Sequence, residues 1–433
     1  MIIIKEKFIK STIILIIGGL LIKALGMLIR IVITRLVGLD GIGLYMLIFP
    51  TFSLCMTLAE ISLPIAISKI VSADKHNNKK IVLGIIPITL FFNLFLIIII
   101  TFLAKPIAIN LLNNELAYYP ILSIGLALPM DAIASILRGY FFGKMKMLPH
   151  ILSLLCEQLV RLVLIIIFVP YLLPFGVTFA VSFVILVNIF SEGLSIFVLF
   201  FFLPKNIVIK KSDFIIKLTY IKDIFSIAIP TTLGRLISSI SYFLEPIILV
   251  YFLSKNYSLN FITTEYGIIS GYVMPMLLMP SFISGAISSA LLPIISKGYA
   301  NNNKKYIISK LKLSCLISFV IGLFISVILF INPFIFLKLL YNTHHGGLYL
   351  RLMAIPFLLF YIEAPLSSFL QGCNKSNLMM KDSFLGVIIK NIILVILCNF
   401  KLGLLPLIIS TSIGIIITTT SHIINIKKVL KSI

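Results

Sequence analysis

The sequence predicts an all-α polytopic membrane protein, with about twelve transmembrane helices in two six-helix lobes related by an internal repeat. Three observations carry this prediction. Of 433 residues, 60% are hydrophobic and 12% charged, with mean hydropathy +1.17; soluble domains hold about 25% charged residues. The apolar runs do not alternate as strands would, and they recur at the roughly 20-residue length that crosses a bilayer as a helix. Lysine and arginine concentrate in alternate loops, as they do between membrane spans.

The runs fall near 11–36, 44–71, 81–104, 117–142, 149–170, 174–203, 222–253, 266–296, 312–338, 348–372, 382–400 and 402–426. With both termini placed inside, the inner loops and ends carry 25 lysines and arginines and the outer loops 6. That bias predicts both termini in the cytoplasm and accounts for most of the +22 net charge without a nucleic-acid partner. The basic loops are suited to contact anionic lipid headgroups. The N-terminal run lacks a small-residue cleavage site and is expected to remain as the first span.

The first run, Phe8 to Tyr45, is apolar yet carries Lys23, Arg30 and Arg35. Gly19, Lys23, Gly26 and Arg30 recur at helical spacing and form one stripe. The small residues predict close helix packing, and the cations should face a carboxylate or a water-filled cavity, because each costs about 2.5–3.5 kcal/mol near the membrane centre.

Six carboxylates also fall within spans: Glu60, Asp131, Glu157, Glu192, Glu245 and Glu363. Arg161, Arg235 and Lys390 join them. Asp131 and Arg138 share a face of the fourth span, and Arg138 lies near enough to its end to reach the membrane surface. Glu157 and Arg161, four residues apart, can neutralise each other. Glu192 and Glu245 have no cation nearby in sequence and need one from another helix. The charges sit in spans 1, 2, 4, 5, 6, 7 and 10, which predicts an inner ring around a polar cavity. Spans 3, 8, 9 and 12 are then expected to face lipid. Prolines 50, 64, 129, 230, 246, 275, 280, 356 and 365 fall inside the runs and predict kinks.

Residues 1–204 form the expected N-terminal lobe, 205–221 a cytoplasmic linker and 222–433 the C-terminal lobe. LPIAISK (Leu63–Lys69) reappears as LPIISK (Leu292–Lys297), and NNKK occurs at Asn77–Lys80 and Asn302–Lys305. Gly43-Leu44-Tyr45 pairs with Ser270-Gly271-Tyr272, and Arg138-Gly139 with Gln371-Gly372. Matches in register at equivalent span ends indicate duplication, and two parallel bundles rocking about a central site is a transporter plan. The five cysteines are scattered and the histidines form no metal-binding pattern, so no metal site and no cofactor is expected. No loop is long or acidic enough for a membrane-embedded glycosyltransferase, and an enzyme is not expected.

RIVITRLVGLDGIGLY (Arg30–Tyr45), LPIAISK, RGYFFGKMKMLP (Arg138–Pro149), EQLVR (Glu157–Arg161) and, more loosely, ISSALLPIISK (Ile287–Lys297) resemble the stage V sporulation protein B family. That family belongs to the multidrug/oligosaccharidyl-lipid/polysaccharide flippase superfamily. Many of its members carry two further C-terminal spans, associated in flippases with a groove for the lipid tail; about twelve spans are read here. The resemblance implies a flippase for lipid-linked oligosaccharide or peptidoglycan precursors in the bacterial cell membrane, serving the spore cortex, with cell-wall synthases as candidate partners. It is expected to act as a monomer. Lys23, Arg30, Arg35 and Arg235 are the candidates for an anionic headgroup. Glu60, Asp131, Arg138, Glu157, Arg161, Glu192, Glu245 and Glu363 are the candidates for charge pairing or ion coupling. A cation-coupled multidrug exporter of the same fold, or a non-transporting member of a sporulation complex, are the alternatives.

Overall fold

The computed structural model describes residues 2–73, 77–203, 210–214 and 216–431. These form fifteen α-helices: α1 (Ile2–Glu60), α2 (Leu63–Ala73), α3 (Asn78–Pro106), α4 (Tyr118–Gly143), α5 (Met147–Leu172), α6 (Val177–Phe201), α7 (Leu218–Leu253), α8 (Leu259–Ile268), α9 (Met274–Leu278), α10 (Ser281–Ala300), α11 (Lys304–Ile331), α12 (Pro333–Tyr341), α13 (Gly347–Gly372), α14 (Ser376–Leu397) and α15 (Leu405–Lys431). Among the described residues, ten stretches are long and apolar enough to cross a membrane. The first, Ile17–Ala73, runs 57 residues, about 85 Å as a helix against a hydrocarbon core of about 30 Å. It bends at Gly38 (φ 69°), so it supplies the length of two crossings. α14 is 22 residues long and carries Lys381, Asp382 and Lys390. With it, the helices are consistent with the expected twelve.

Several runs read as single spans are broken, and proline explains where. The second run breaks at Ile61 and Ser62, both left-handed (φ 46° and 48°). Pro64 has no N–H and its ring would meet the Glu60 carbonyl in a continuous helix, so the chain must turn aside just before it. The break frees the Ala59 carbonyl, and the buried Asn93 amide of α3 donates to it at 3.3 Å. The eighth run divides into α8, a π-helical segment at Ile269–Val273, α9 and α10. There the Tyr361 hydroxyl donates to the freed Leu277 carbonyl at 2.8 Å, in space left by Gly322, where an added Cβ would stand 2.1 Å from the Tyr361 ring. The ninth run ends at Asn332, and Pro333 opens α12. Pro64, Pro275 and Pro280 therefore lie at helix starts, where a missing N–H costs nothing. Pro50, Pro129, Pro230, Pro246, Pro356 and Pro365 are inside helices.

The chain forms two compact units, Met1–Pro246 and Ile247–Ile433. In the first, α4 packs against α2, α3 and α6, and α5 against α6; in the second, α13 packs against α10, α11 and α15, and α14 against α15. The two packing plans correspond helix for helix, and the local chemistry agrees. The NNKK motifs hold helix N-caps: Asn77 accepts from the Lys80 N–H at 3.3 Å and Asn303 from the Tyr306 N–H at 3.1 Å. α4 and α13 end in the same cap, with left-handed Met145 and Asn374 two residues past Gly143 and Gly372. Lys146 N–H returns to the Phe141 carbonyl at 2.9 Å, and Lys375 N–H to the Leu370 carbonyl at 2.8 Å. This geometry pairs Gly372 with Gly143, one turn later than the sequence pairing with Gly139.

Glycine also sets the helix contacts. A Cβ on Gly139 would lie 2.7 Å from the Pro64 carbonyl oxygen, and one on Gly18 would lie 2.3 Å from the Ile151 side chain of α5. Gly19 and Gly26, where close packing was expected, face open space. α3 and α11 turn phenylalanines outward (Phe91, Phe102, Phe324), as lipid-facing helices do. α15, also expected on the outside, is instead packed by α13 and α14, with its His422 and Thr419 fully buried.

Residues 205–209 and 215 of the expected linker lie outside the described residues. The rest docks on α3: Asp213 pairs with Lys79 and accepts from the Lys210 N–H at 2.9 Å. The Lys79 bond, with that N–H, holds the Asp213 carboxyl below its ordinary range. A depressed acid stabilises the docked form fully at neutral pH and loses that contribution as pH falls below about 3.9.

Two outcomes follow. Gly139→Ala is expected to destabilise the protein by about 1–3 kcal/mol through overpacking, while Gly19→Ala leaves thermal unfolding in detergent unchanged. Asp213→Asn is expected to undock the segment, read as faster tryptic cleavage after Lys210 at neutral pH.

Candidate functional site

The first unit buries an ionic cluster on three helices. Arg138 stands five residues before the end of α4, and its Nη2 donates to Glu157 Oε2 of α5 at 2.7 Å, Glu192 Oε2 of α6 at 2.6 Å and Ser195 Oγ at 2.7 Å. Glu157 Oε1 accepts from Arg161 at 2.7 Å and from Gln158 at 3.2 Å. Arg138 therefore does not reach out to the surface: its side chain is 12% exposed, and those of Glu157 and Glu192 are 5% and 4% exposed. Glu157 also does more than neutralise Arg161, because its two oxygens serve different arginines. Asp131, two turns before Arg138, is 6% exposed, and its Oδ2 has no hydrogen-bond partner among the described residues. It feels Glu192, Glu60, Arg138 and Glu157 electrostatically. Asp131, Glu157 and Glu192 oppose Arg138 and Arg161, so the cluster holds one more acid than base. A proton or a monovalent cation would balance it.

A second group of charges lies where α1 breaks. Glu60, the last residue of α1, accepts from Arg235 Nη1 of α7 at 2.7 Å. This pair is open, with Arg235 42% and Glu60 21% exposed, and such pairs contribute about 0–1 kcal/mol. Beside it Thr57 and Ser239 share a hydrogen bond of 2.9 Å. Arg30 carries its guanidinium over the Phe49 ring, 5.5 Å from the centroid, and Phe49 meets Tyr242 edge-on at 6.4 Å. Arg30, Tyr45 and the buried Glu245 are all within electrostatic reach of the Tyr242 hydroxyl. Among the described residues Arg30 makes no ion pair. Lys23 and Arg35 are exposed on α1, and Gly234 beside Arg235 faces open space. Glu363 belongs to α13 in the second unit.

The geometry thus sorts the charged candidates into groups. Arg138, Glu157, Arg161 and Glu192, with Asp131 close by, form one buried network; Glu60 and Arg235 form an open pair; Arg30 rests on an aromatic ring. Ser195 and Gln158 complete the network, and nothing in the sequence singles them out from the many serines and amides of the spans. A further group in the second unit, the buried Asp382 and His422 with the half-buried Ser367 and Asn425, has no counterpart in the sequence reading.

Helices of this order, packed around a buried ionic cluster, make a polytopic helical bundle. The fold is similar to the inward-facing conformation of a multidrug resistance MATE family transporter of the MOP superfamily, with TM-score 0.75 over 94% of this chain and 95% of that one at 18% identity. The chain belongs to the polysaccharide biosynthesis protein family, which it matches over residues 8–299. Residues 246–397 also match MatE. The chain is 33% identical to Stage V sporulation protein B of Bacillus subtilis (strain 168), over 98% of this chain and 85% of that protein. It is 22% identical to Lipid II flippase MurJ of the same organism, over 89% of this chain and 76% of that protein.

Removing Arg138 would leave Glu157 and Glu192 buried against fewer donors. Arg138→Leu is expected to cost about 3–5 kcal/mol of stability, measured by thermal unfolding in detergent. Adding Glu192→Leu should recover part of that loss; no recovery would show that the pair is not the source.

Proposed function

We propose that this protein is a flippase for lipid-linked cell-wall or polysaccharide precursors, serving spore cortex synthesis and working by alternating access. The observation that carries the reading is Arg30. It is a cation in the first span without an ion-pair partner among the described residues, in a family of polysaccharide biosynthesis proteins. A guanidinium over a ring face has no hydrogen-bond acceptor in the ring plane, so its N–H groups can bind a phosphate through two parallel bonds. A lipid-linked sugar carries such a phosphate, and its charge is what bars it from hydrocarbon. Lys23, Arg35 and Arg235 extend the cationic surface. Arg235 is half-exposed in its pair with Glu60, and a bound anion can compete for it at small cost.

In this mechanism residues 1–204 rock against 222–433 about the loaded site. The membrane potential assists outward movement of an anion by about 2.3 kcal/mol per charge per 100 mV. The acid excess around Asp131 supplies a site for a coupling proton or cation. Both termini face the cytoplasm and the protein works as a monomer in the bacterial cell membrane. The fold of multidrug transporters supports a second reading, export of cationic drugs, against which the cations of the first span argue.

Arg30→Ala is expected to abolish complementation of a flippase-deficient strain while the protein reaches the membrane at normal abundance. Arg30→Lys should retain part of the function, since it keeps the charge and loses the bidentate fork. Full complementation by Arg30→Ala would sink the anion-site reading. Ethidium efflux from vesicles is expected to be absent, and robust efflux would favour the multidrug reading.

A further inference from the structure

The repeat assigns counterparts in the second unit to Arg138, Glu192 and Ser195, and the residues found there have different chemistry. Arg138 stands five residues before the end of α4, and Ser367 stands five before the end of α13. Glu192 stands nine before the end of α6, and His422 nine before the end of α15. Ser195 and Asn425 each follow three residues later. Asp382 occupies the sixth position after the start of α14, as Ser153 does after the start of α5, one turn before Glu157. These residues meet. His422 Nδ1 lies 2.8 Å from Asp382 Oδ2, Asn425 Nδ2 donates to Asp382 Oδ1 at 2.7 Å, and His422 Nε2 lies 3.2 Å from Ser367 Oγ. His422 is fully buried and Asp382 is 6% exposed.

The guanidinium of the first cluster stays charged at every accessible pH, whereas imidazole changes state in the neutral range. We propose that Ser367, Asp382, His422 and Asn425 form a proton-binding site in the second lobe. With a neutral ring, Nδ1–H donates to the Asp382 carboxylate and the Nε2 lone pair accepts from the Ser367 hydroxyl. The group then holds one buried negative charge. When Nε2 takes up a proton, the Ser367 hydroxyl turns and accepts from it, while the bond to Asp382 remains. A serine can both donate and accept, so every hydrogen bond survives the change and only the net charge moves, from minus one to zero. A buried group with a net charge is costly and a neutral ion pair less so, and the proton converts the first into the second. Asn425 keeps Asp382 supplied with a second donor in both states.

Other charges on the helices around α15 are few. α13 carries Glu363, one turn before Ser367. α14 carries the exposed Lys381, and Lys390, whose stem lies against Gly414 of α15, two turns before His422. α15 itself carries the exposed Lys427, Lys428 and Lys431, and α13 the exposed Arg351 four turns before Ser367. The carboxylate in hydrogen-bonding reach of the ring is Asp382. The site lies about 7–14 Å along the helices from their ends, inside the unit rather than in the loops, so a proton bound there is sensed by the packed helices α13, α14 and α15. The proposal stands independently of which anion the protein carries.

The test needs no transported substrate. Purified protein in phosphatidylcholine liposomes on a solid-supported membrane is stepped from pH 8 to pH 5.5, and the displaced charge is recorded. The measurement is made in an Asp131→Asn background, so that the acid excess of the first unit does not contribute, and this background is expected to give a transient. His422→Gln and Asp382→Asn are expected to reduce it at least fivefold, and His150→Gln to leave it intact. Ser367→Ala, which keeps His422 and Asp382, should move the pH at which the transient is half-maximal with the amplitude retained; this variant decides the matter if His422→Gln does not elute as a folded protein. A background without a transient, an undiminished one in His422→Gln, or loss in His150→Gln would overturn the proposal. Failure of complementation by Arg30→Ala bears on the anion site and leaves this result untouched.

Discussion

The contact on which the first lobe depends is the Arg138 guanidinium held between Glu157 and Glu192. Three helices meet there, α4, α5 and α6, and each brings one charge that hydrocarbon would not tolerate singly. The cost of burying each charge is offset when the three share bonds of 2.6–2.7 Å. An apolar core of similar shape could hold the helices equally well. What the ionic contact adds is a fixed register, because an arginine one turn away would leave Glu192 without its donor and Glu157 with fewer.

Register also explains the smaller features of the fold. Two breaks fall where proline removes a donor, and at each a freed carbonyl finds a polar side chain: Asn93 for Ala59 and Tyr361 for Leu277. In a bilayer no water is available to do this, so the breaks and their partners must occur together. The duplicated caps after α4 and α13 and the asparagine N-caps of α3 and α11 show that the repeat has kept backbone chemistry. Between the repeats the buried side chains have diverged, from guanidinium to hydroxyl at Arg138 and Ser367, and from carboxylate to imidazole at Glu192 and His422.

Much of this was legible in the sequence. Long apolar runs and the alternation of lysine-rich loops define the helices, because hydrocarbon thickness and headgroup charge act on composition directly. Buried charges such as Glu157 and Glu192 stand out for the same reason. Which charge meets which was not legible, since Arg138 and Glu192 lie 54 residues apart and no local period links them. The glycine stripe of the first span was misread: Gly18, one residue before the stripe, makes the close contact with Ile151, and Gly19 and Gly26 make none. A stripe defines a face without saying what lies opposite. His422 was passed over because a lone histidine among threonines and isoleucines carries no pattern, and α15 was expected to face lipid because its middle has no formal charge.

The separation of Arg138 from Glu192 has a consequence for biosynthesis. At about 5–20 residues per second, the ribosome makes α6 some 3–11 s after α4. During that interval Arg138 has only Glu157 to meet. Its position five residues from the end of α4 lets the side chain wait at the headgroup boundary, and the arrival of α6 then draws it inward. α6 therefore closes the cluster, and a nascent chain stalled before Glu192 would hold Arg138 against Glu157 alone.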